Sequence, residues 1–373
     1  MDDRTPKNEP YIMNAELQVR KTVKEHNMIA AGDTVILGLS GGPDSLCLLH
    51  VLKDMQRSLD FDLQALHVNH LMRGEKAKED ELWLAEHCRE LGVPLTVAVC
   101  DVYGKAEQEG ISPEEAGRKA RHSALQRQKA AMESPCAVWR GHVLIALAHN
   151  RDDQAETVLM RLMRGTGIHG IAGMEYVRED GLIRPLLDTP RSEIEAYCEK
   201  LGLTPRWDST NADTYYTRNK LRLEVLPLLE KEFNPNLKET LARLAANARE
   251  DDDLLEKLAR QAAEGHQGSF PVKELAAMDG ALAKRVIRIL FAREGLTEDI
   301  ASAHLESLLD AVRGRRTGKW SNSHTATGRR LGTTRSVFTC NLPTYMVVYC
   351  VILQFACHCN KFIAQLRRKF VVE

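Results

Sequence analysis

At 373 residues the chain is long enough for about two or three domains. Hydrophobic residues at 43% and charged residues at 28% exclude a largely disordered chain, and the 5% aromatic share leaves the cores to Leu, Ala, Val and Ile. A formal net charge of −1, from 51 basic and 52 acidic residues, excludes a protein that coats nucleic acid through bulk charge; an RNA or DNA partner has to be met by a local basic face.

The first ten residues are polar and no apolar leader follows, which predicts a cytoplasmic chain. The longest apolar stretch, residues 345–359, is interrupted by Gln354 and is shorter than the roughly 20 residues a spanning helix needs, so no membrane contact is expected. Nine cysteines without any CxxC pair read as reduced thiols. Apolar runs at residues 34–39, 63–68, 95–99 and 143–148 predict buried strands. Helical patterns lie between them, at 45–55, 79–91 and 114–132. This alternation predicts an α/β fold, a parallel sheet with helices on both faces. Residues 133–142 read as an exposed loop. Further helices are expected at 190–201, with Pro190 in the first turn, and at 218–232, 236–263, 282–293 and 299–312, with a short strand at 269–272. The acidic run at residues 250–253 reads as a solvated face. The expected division is a catalytic α/β domain over 1–215, a linker helix and small helical domain over 216–318, and an atypical tail over 319–373.

The first strand runs into Ser40-Gly41-Gly42-Pro43-Asp44-Ser45 and a helix begins at once. Adjacent glycines let the backbone turn and bring N–H groups close to a ligand. The helix N-terminus behind them presents unpaired donors and a positive dipole end, which suits phosphate. The hydroxyls of Ser40 and Ser45 add donors, and Asp44, which would repel a bare phosphate, implies a bridging Mg²⁺. The loop lacks the Gly-Lys-Ser/Thr of a Walker A sequence and the third glycine of a dinucleotide fingerprint. Strand, loop and helix together predict nucleotide binding.

The loop resembles the pyrophosphate-binding loop of the N-type ATP pyrophosphatases, the PP-loop superfamily. Three more segments narrow the likeness: residues 67–74 (HVNHLMRG) after the second strand, residues 148–157 (AHNRDDQAET) after the fourth, and Trp207-Asp208-Ser209-Thr210-Asn211 followed by Arg218-Asn219-Lys220-Leu221-Arg222. In that order they resemble the tRNA(Ile)-lysidine synthase family over about residues 15–318. The resemblance implies a ligase that forms a carbon–nitrogen bond. ATP adenylylates the C2 oxygen of the wobble cytidine of tRNA(Ile) with a CAU anticodon, pyrophosphate leaves, and L-lysine displaces AMP to give lysidine. The implied small molecules are ATP, Mg²⁺ and L-lysine, with a homodimer as one assembly the family allows.

The expected ATP-binding set is residues 40–45 with His70, Arg73 and His149, all near strand ends at the carboxyl edge of the sheet. Asp152, Asp153 and Glu156 group on one helix face. Such carboxylates can bind a lysine ammonium and take its proton, or hold Mg²⁺; they also fit an N-cap with an acidic first turn. The resemblance implies that Arg118 and Arg121 face the nucleotide, and Arg184, Arg191, Arg218, Asn219 and Arg222 are expected at ATP phosphates or the tRNA backbone. Asn150 and His122 stand where the family usually has His and Tyr. Another PP-loop enzyme, of the tRNA-thiolating type, and a family member impaired by its tail are the alternatives; thiolating enzymes commonly use CxxC pairs, absent here.

The tail departs from the family. Suitable synonymous codons for residues 320–330 (WSNSHTATGRR), read from the third base of the Trp320 codon, spell Glu-Gln-Leu-Pro-His-Gly-Tyr-Arg-Ala-Lys, the text expected of a relative. The expectation is a frameshift near Lys319 that replaces the C-terminal tRNA-binding domain.

Overall fold

The computed structural model describes residues 14–71, 74–133, 141–206, 217–264, 266, 270–293 and 302–314. Arg73, the 207–211 motif, most of the 133–142 segment and the tail from residue 315 lie outside them. Among the described residues five strands form one parallel sheet: β1 Thr34–Gly38, β2 Asp62–Asn69, β3 Leu95–Val99, β4 Val143–Ala146 and β5 Leu182–Ile183, in the order β3-β2-β1-β4-β5. The strand β1 is central, with Thr34 paired to Asp62 on one side and to Val143 on the other. It is therefore covered on both faces and reads as an unbroken apolar run. Its side chains alternate between two cores. Val35 and Leu37 join a cluster with Leu46, Leu49, Leu84 and Ile194, whereas Ile36 joins Leu66, Ala124, Leu125 and Ile145.

Helices packed into the first core include α1 Ala15–Glu25, α2 Pro43–Met55 and α3 Glu75–Leu91. Next come α4 Val102–Glu109 and α5 Pro113–Met132, then α6 Arg151–Met163, α7 Ile168–Ile171 and α8 Arg191–Lys200. The two-residue β5 and the short α4 carry too few residues to show a period, and neither was expected. Local chemistry still closes α4. Asp101 caps its first turn by accepting the Gly104 N–H at 3.0 Å, and Gly110 ends it with φ of 65°. Pro190 proves to be the N-cap of α8, one residue outside the expected first turn.

The expected helix at 218–232 is three pieces: α9 Thr217–Lys220, a π-helical turn at Leu221–Val225, and α10 Leu226–Glu232. Pro227 explains the break, because it cannot donate the N–H that an α-helical ladder requires there. Leu221 and Leu226, with Leu241 and Ala245 of α11 Leu237–Glu264, share a core with Ala155 and Val158 of α6. The first compact unit extends to Arg249.

A second unit begins at Glu250. In it α12 Val272–Ala277, α13 Gly280–Arg293 and α14 Ser302–Val312 enclose Val286, Ile287, Phe291, Leu305 and Leu309. The strand expected at 269–272 is replaced at Val272 by the start of α12, after Pro271 in extended conformation. The acidic run is not uniformly solvated either: Asp252 is buried and its carboxylate meets the Arg285 guanidinium at 2.7 Å. No helix among the described residues is long and apolar enough to cross a membrane.

Candidate active site

The strand order places a topological switch between β1, which continues toward β2, and β4, which belongs to the other half of the sheet. Loops leaving the carboxyl ends of two such strands part in opposite directions and leave a crevice, the place where open α/β sheets bind ligands. The glycine loop leaves β1 at this crevice and the 149–156 segment leaves β4 there.

The glycine loop is organised by its own serine. Ser45 Oγ accepts the N–H groups of Ser40 at 3.2 Å and Gly41 at 3.1 Å, and donates to the Gly42 carbonyl at 3.0 Å. Ser40 Oγ lies 3.1 Å from Ser45 Oγ and accepts the Gly42 N–H at 3.3 Å. Gly41, at φ of 84°, supplies the left-handed step, while Gly42 is an extended N-cap and Pro43 opens α2. The Gly41 carbonyl accepts the Arg206 N–H at 2.9 Å, so the chain just before the 207–211 motif is tied to the loop. Asp44, in the first turn, accepts the Asn150 side-chain amide at 2.8 Å. Burial, with a smaller push from Asp153, raises its pKa from 3.8 to about 6 against the pull of Asn150, Arg191 and Arg222.

Across the crevice the carboxylates of α6 are already paired. Asp153 accepts Arg218 Nη2 at 3.0 Å and Arg222 Nη2 at 2.7 Å. Glu156, whose side chain is 1% exposed, accepts Arg218 Nε at 2.8 Å, Arg222 Nε at 2.5 Å and Arg222 Nη2 at 3.0 Å. Burial alone would raise the Asp153 pKa; Arg218, His149 and Arg222 outweigh it and hold the group below its ordinary value. Burial opposes the Arg222 charge, but Glu156 and Asp153 keep its pKa above the usual arginine range. The N-cap reading of Asp153 holds at the same time: its carboxylate accepts the Asn150 N–H while the Asn150 side chain accepts the Asp153 N–H, a capping box. Asp152 points elsewhere. It accepts the backbone N–H of Arg191 at 3.2 Å and pairs with Lys238 Nζ at 2.9 Å, and Lys238 also lies 3.5 Å from Glu230.

The remaining expected residues are dispersed around this centre. His149 has a buried Nδ1 with no hydrogen-bond partner among the described residues, and burial lowers its pKa to about 4, which keeps the ring neutral at pH 7. Arg121 and Arg184 both lie close enough to act on it electrostatically. Arg184, just after β5, is 8% exposed; it donates Nη1 to the Glu175 carbonyl at 2.5 Å, and burial pulls its pKa down to about 10. Arg191 pairs its Nε with Glu195 at 2.9 Å. Arg118 and Arg121 lie exposed on α5, and His70 follows β2 beside Gly117 of that helix. Asn219 lies in α9 between the paired arginines' turns. Lys238 and Asn150 were missed as site residues. Lys238 is 82 residues after Glu156 on a Leu/Ala-rich helix, with no local signal; Asn150 is in the right motif, but its side-chain reach to Asp44 depends on the sheet order.

The chain matches the PP-loop domain over residues 13–229 and the TilS substrate binding domain over residues 270–326. It is 43% identical over 242 residues to the tRNA(Ile)-lysidine synthase of Clostridioides difficile (strain 630), covering 65% of this chain and 51% of that protein. It is 38% identical over 308 residues to the tRNA(Ile)-lysidine synthase of Clostridium perfringens (strain 13 / Type A), covering 80% and 63%. The chain thus spans between half and two thirds of the length of these relatives. Among solved structures, the U34-tRNA thiolase NcsA from Methanococcus maripaludis aligns with a TM-score of 0.51 at 22% identity, over 62% of this chain and 76% of that one, a likeness of fold. The parallel sheet, the serine-braced glycine loop at its switch point and the PP-loop match from residue 13 to 229 together make this chain a member of the PP-loop domain family.

Proposed function

We infer that this chain joins L-lysine to C2 of the wobble cytidine of tRNA(Ile) with a CAU anticodon, with cleavage of ATP to AMP and pyrophosphate. The observation that carries the reading is the order of two matches in one chain, a PP-loop domain followed by a TilS substrate binding domain, beside relatives named for this activity. In this reading the C2 oxygen of cytosine attacks the α-phosphorus of ATP and pyrophosphate leaves; the ε-amine of lysine then attacks C2 and AMP leaves.

The chain's own groups suit these demands. Ser45 Oγ holds the loop in its turn by accepting the Ser40 and Gly41 N–H groups, and the N-terminus of α2 behind it would hold the departing pyrophosphate. Asp44 fits Mg²⁺: its half-buried carboxylate is bonded to the neutral Asn150 amide and to no guanidinium among the described residues, and an oxygen ligand of this kind suits a hard cation. The ion would neutralise phosphate charge when bound. Arg218 and Arg222, braced from behind by Asp153 and Glu156, are held in fixed orientation for an anionic intermediate. Because the arginines hold Asp153 below its ordinary pKa, it is a poor proton acceptor, and the cluster serves to orient the arginines rather than to deprotonate lysine. A free lysine amine still has to lose a proton, at about 4.6 kcal/mol from a pKa near 10.4 at pH 7. Arg118, Arg121, Arg184 and Arg191 are read as nucleotide and tRNA contacts, in a cytoplasmic enzyme that a homodimer would suit.

Incubation with ATP, Mg²⁺, labelled lysine and tRNA transcripts, followed by nucleoside analysis, tests the reading. Label in lysidine is expected with the CAU tRNA(Ile) and in no other transcript. Label absent from every tRNA would overturn it. The frameshift reading of residues 319–373 stands on the codon argument, and the gene's nucleotide sequence checks it: a closed or unrelated alternate frame ends it.

A further inference from the structure

Asn150 is 2% exposed, and its hydrogen-bonding groups reach three other residues. Its N–H donates to Asp153 Oδ2 at 3.1 Å, its Oδ1 accepts the Asp153 N–H at 3.0 Å and its carbonyl accepts the Gln154 N–H at 3.1 Å. These bonds cap α6. The fourth bond does not: Nδ2 donates to Asp44 Oδ1 at 2.8 Å, across 106 residues of chain. A cap needs an acceptor, which Ser, Thr or Asp supplies about as well as Asn. The donor is therefore surplus to helix formation, and it is directed at the carboxylate of the glycine-loop helix. The amide cannot turn over. Exchanging its oxygen and nitrogen would aim Nδ2 at the Asp153 N–H and the oxygen at the Asp44 carboxylate, two repulsive contacts in place of two bonds.

We propose that Asn150 is a positioning residue that holds the Asp44 carboxylate in the β1/β4 crevice and couples the glycine loop to the acid–arginine cluster. With Oδ1 anchored, the carboxylate rotamer is set before any ligand arrives, and Oδ2 is left to face the cation that accompanies a nucleotide. The same bond joins the two halves of the sheet at the point where their loops diverge, so one side chain relates the pyrophosphate end of the crevice to the arginine end. The proposal rests on the ATP-binding reading above.

The test uses the full chain and an ATP analogue that cannot be cleaved between its α and β phosphates. Analogue affinity is measured by calorimetry with Mg²⁺, and Mn²⁺ binding in the presence of the analogue by electron paramagnetic resonance. Asn150→Ser keeps a cap acceptor but does not reach Asp44. Asn150→Asp keeps the cap and sets a second carboxylate against Asp44. Both are expected to weaken analogue and Mn²⁺ binding by about tenfold or more, the size of one charge-assisted hydrogen bond, with KM for tRNA moving less than about twofold. The double exchange Asp44→Asn with Asn150→Asp reverses donor and acceptor. It is expected to recover the melting temperature lost in Asn150→Asp without recovering Mn²⁺ binding. If Asn150→Ser and Asn150→Asp bind the analogue within about twofold of wild type, whatever their melting temperatures, Asn150 is only a cap and the proposal falls. If the wild-type chain itself binds no analogue, the ATP reading fails and the proposal with it.

Discussion

Two carboxylates of one crevice are treated in opposite ways. Asp44, behind the glycine loop, is half-buried with the neutral Asn150 amide on it, and its pKa rises to about 6. Asp153, across the crevice, is buried with two guanidiniums on it, and its pKa falls. Burial pushes both upward, and the sign is decided by contact: Arg218 and Arg222 bond Asp153 directly, whereas Arg191 and Arg222 pull on Asp44 only from a distance. The glycine-loop carboxylate thus has no guanidinium among the described residues bonded to it, whereas the α6 carboxylates Asp153 and Glu156 are each bonded to two. In the reading proposed above, the first is a binding group and the second a framework that orients its arginines.

Replacing Asp44 is the sharpest way to break this contrast. Asp44→Ala is expected to lower lysine- and tRNA-dependent pyrophosphate release by at least about a hundredfold, the usual size of one lost electrostatic group; continued turnover would refute its role. Asp44→Asn also tests the contrast by pH. The folded-state pKa of about 6 exceeds the ordinary aspartate value of 3.8, so between these values the folded chain binds more protons than the unfolded one and stability falls as pH rises. Above pH 6 the ionised, half-buried carboxylate destabilises the ligand-free fold by up to about 3 kcal/mol. Asp44→Asn should therefore melt several degrees higher than wild type at pH 7.5, with the gap closing toward pH 4; an equal gap at both values would contradict the shift.

Glu156→Ala attacks the completed side. It leaves two guanidiniums short of their buried partner and should destabilise the fold by about 3 kcal/mol, the low end for a broken buried pair because both arginines keep some solvent. Denaturant unfolding reads this, and a loss below about 1 kcal/mol would mean that Asp153 suffices. Gly41→Ala acts on the loop's backbone instead: at φ of 84° a side chain costs about 1–2 kcal/mol, and nucleotide affinity should fall with the loop's geometry. The smallest effect belongs to Lys238→Met, about 0.5–1 kcal/mol for a partly exposed pair, with KM for ATP unchanged. A loss as large as that of Glu156→Ala would extend the framework to α11.

How much was legible follows the same division. The glycine loop was readable because its parts are contiguous: a buried strand, two glycines, a proline and a serine that braces the turn lie within twelve residues. Four strands and their helices were readable from apolar runs and periodicity, because burial on two faces demands them. The α6 carboxylates and the arginines at 218 and 222 were each found as motifs, but as separate ligand-binding sets; that they bind one another was not visible. Asp252 was misread for a related reason, since a run of acids shows no sign of which member turns inward toward Arg285.

Local chemistry in the chain sufficed for the α/β class, the glycine loop and the family. Tertiary structure alone settled which polar groups are paired, because pairing depends on distances between residues 62 to 106 positions apart, brought together by a strand order that seats β4 directly beside β1 and by the packing of the 221–226 turn on α6. Periodicity reports which face of an element is buried; it carries no information on which neighbour covers it.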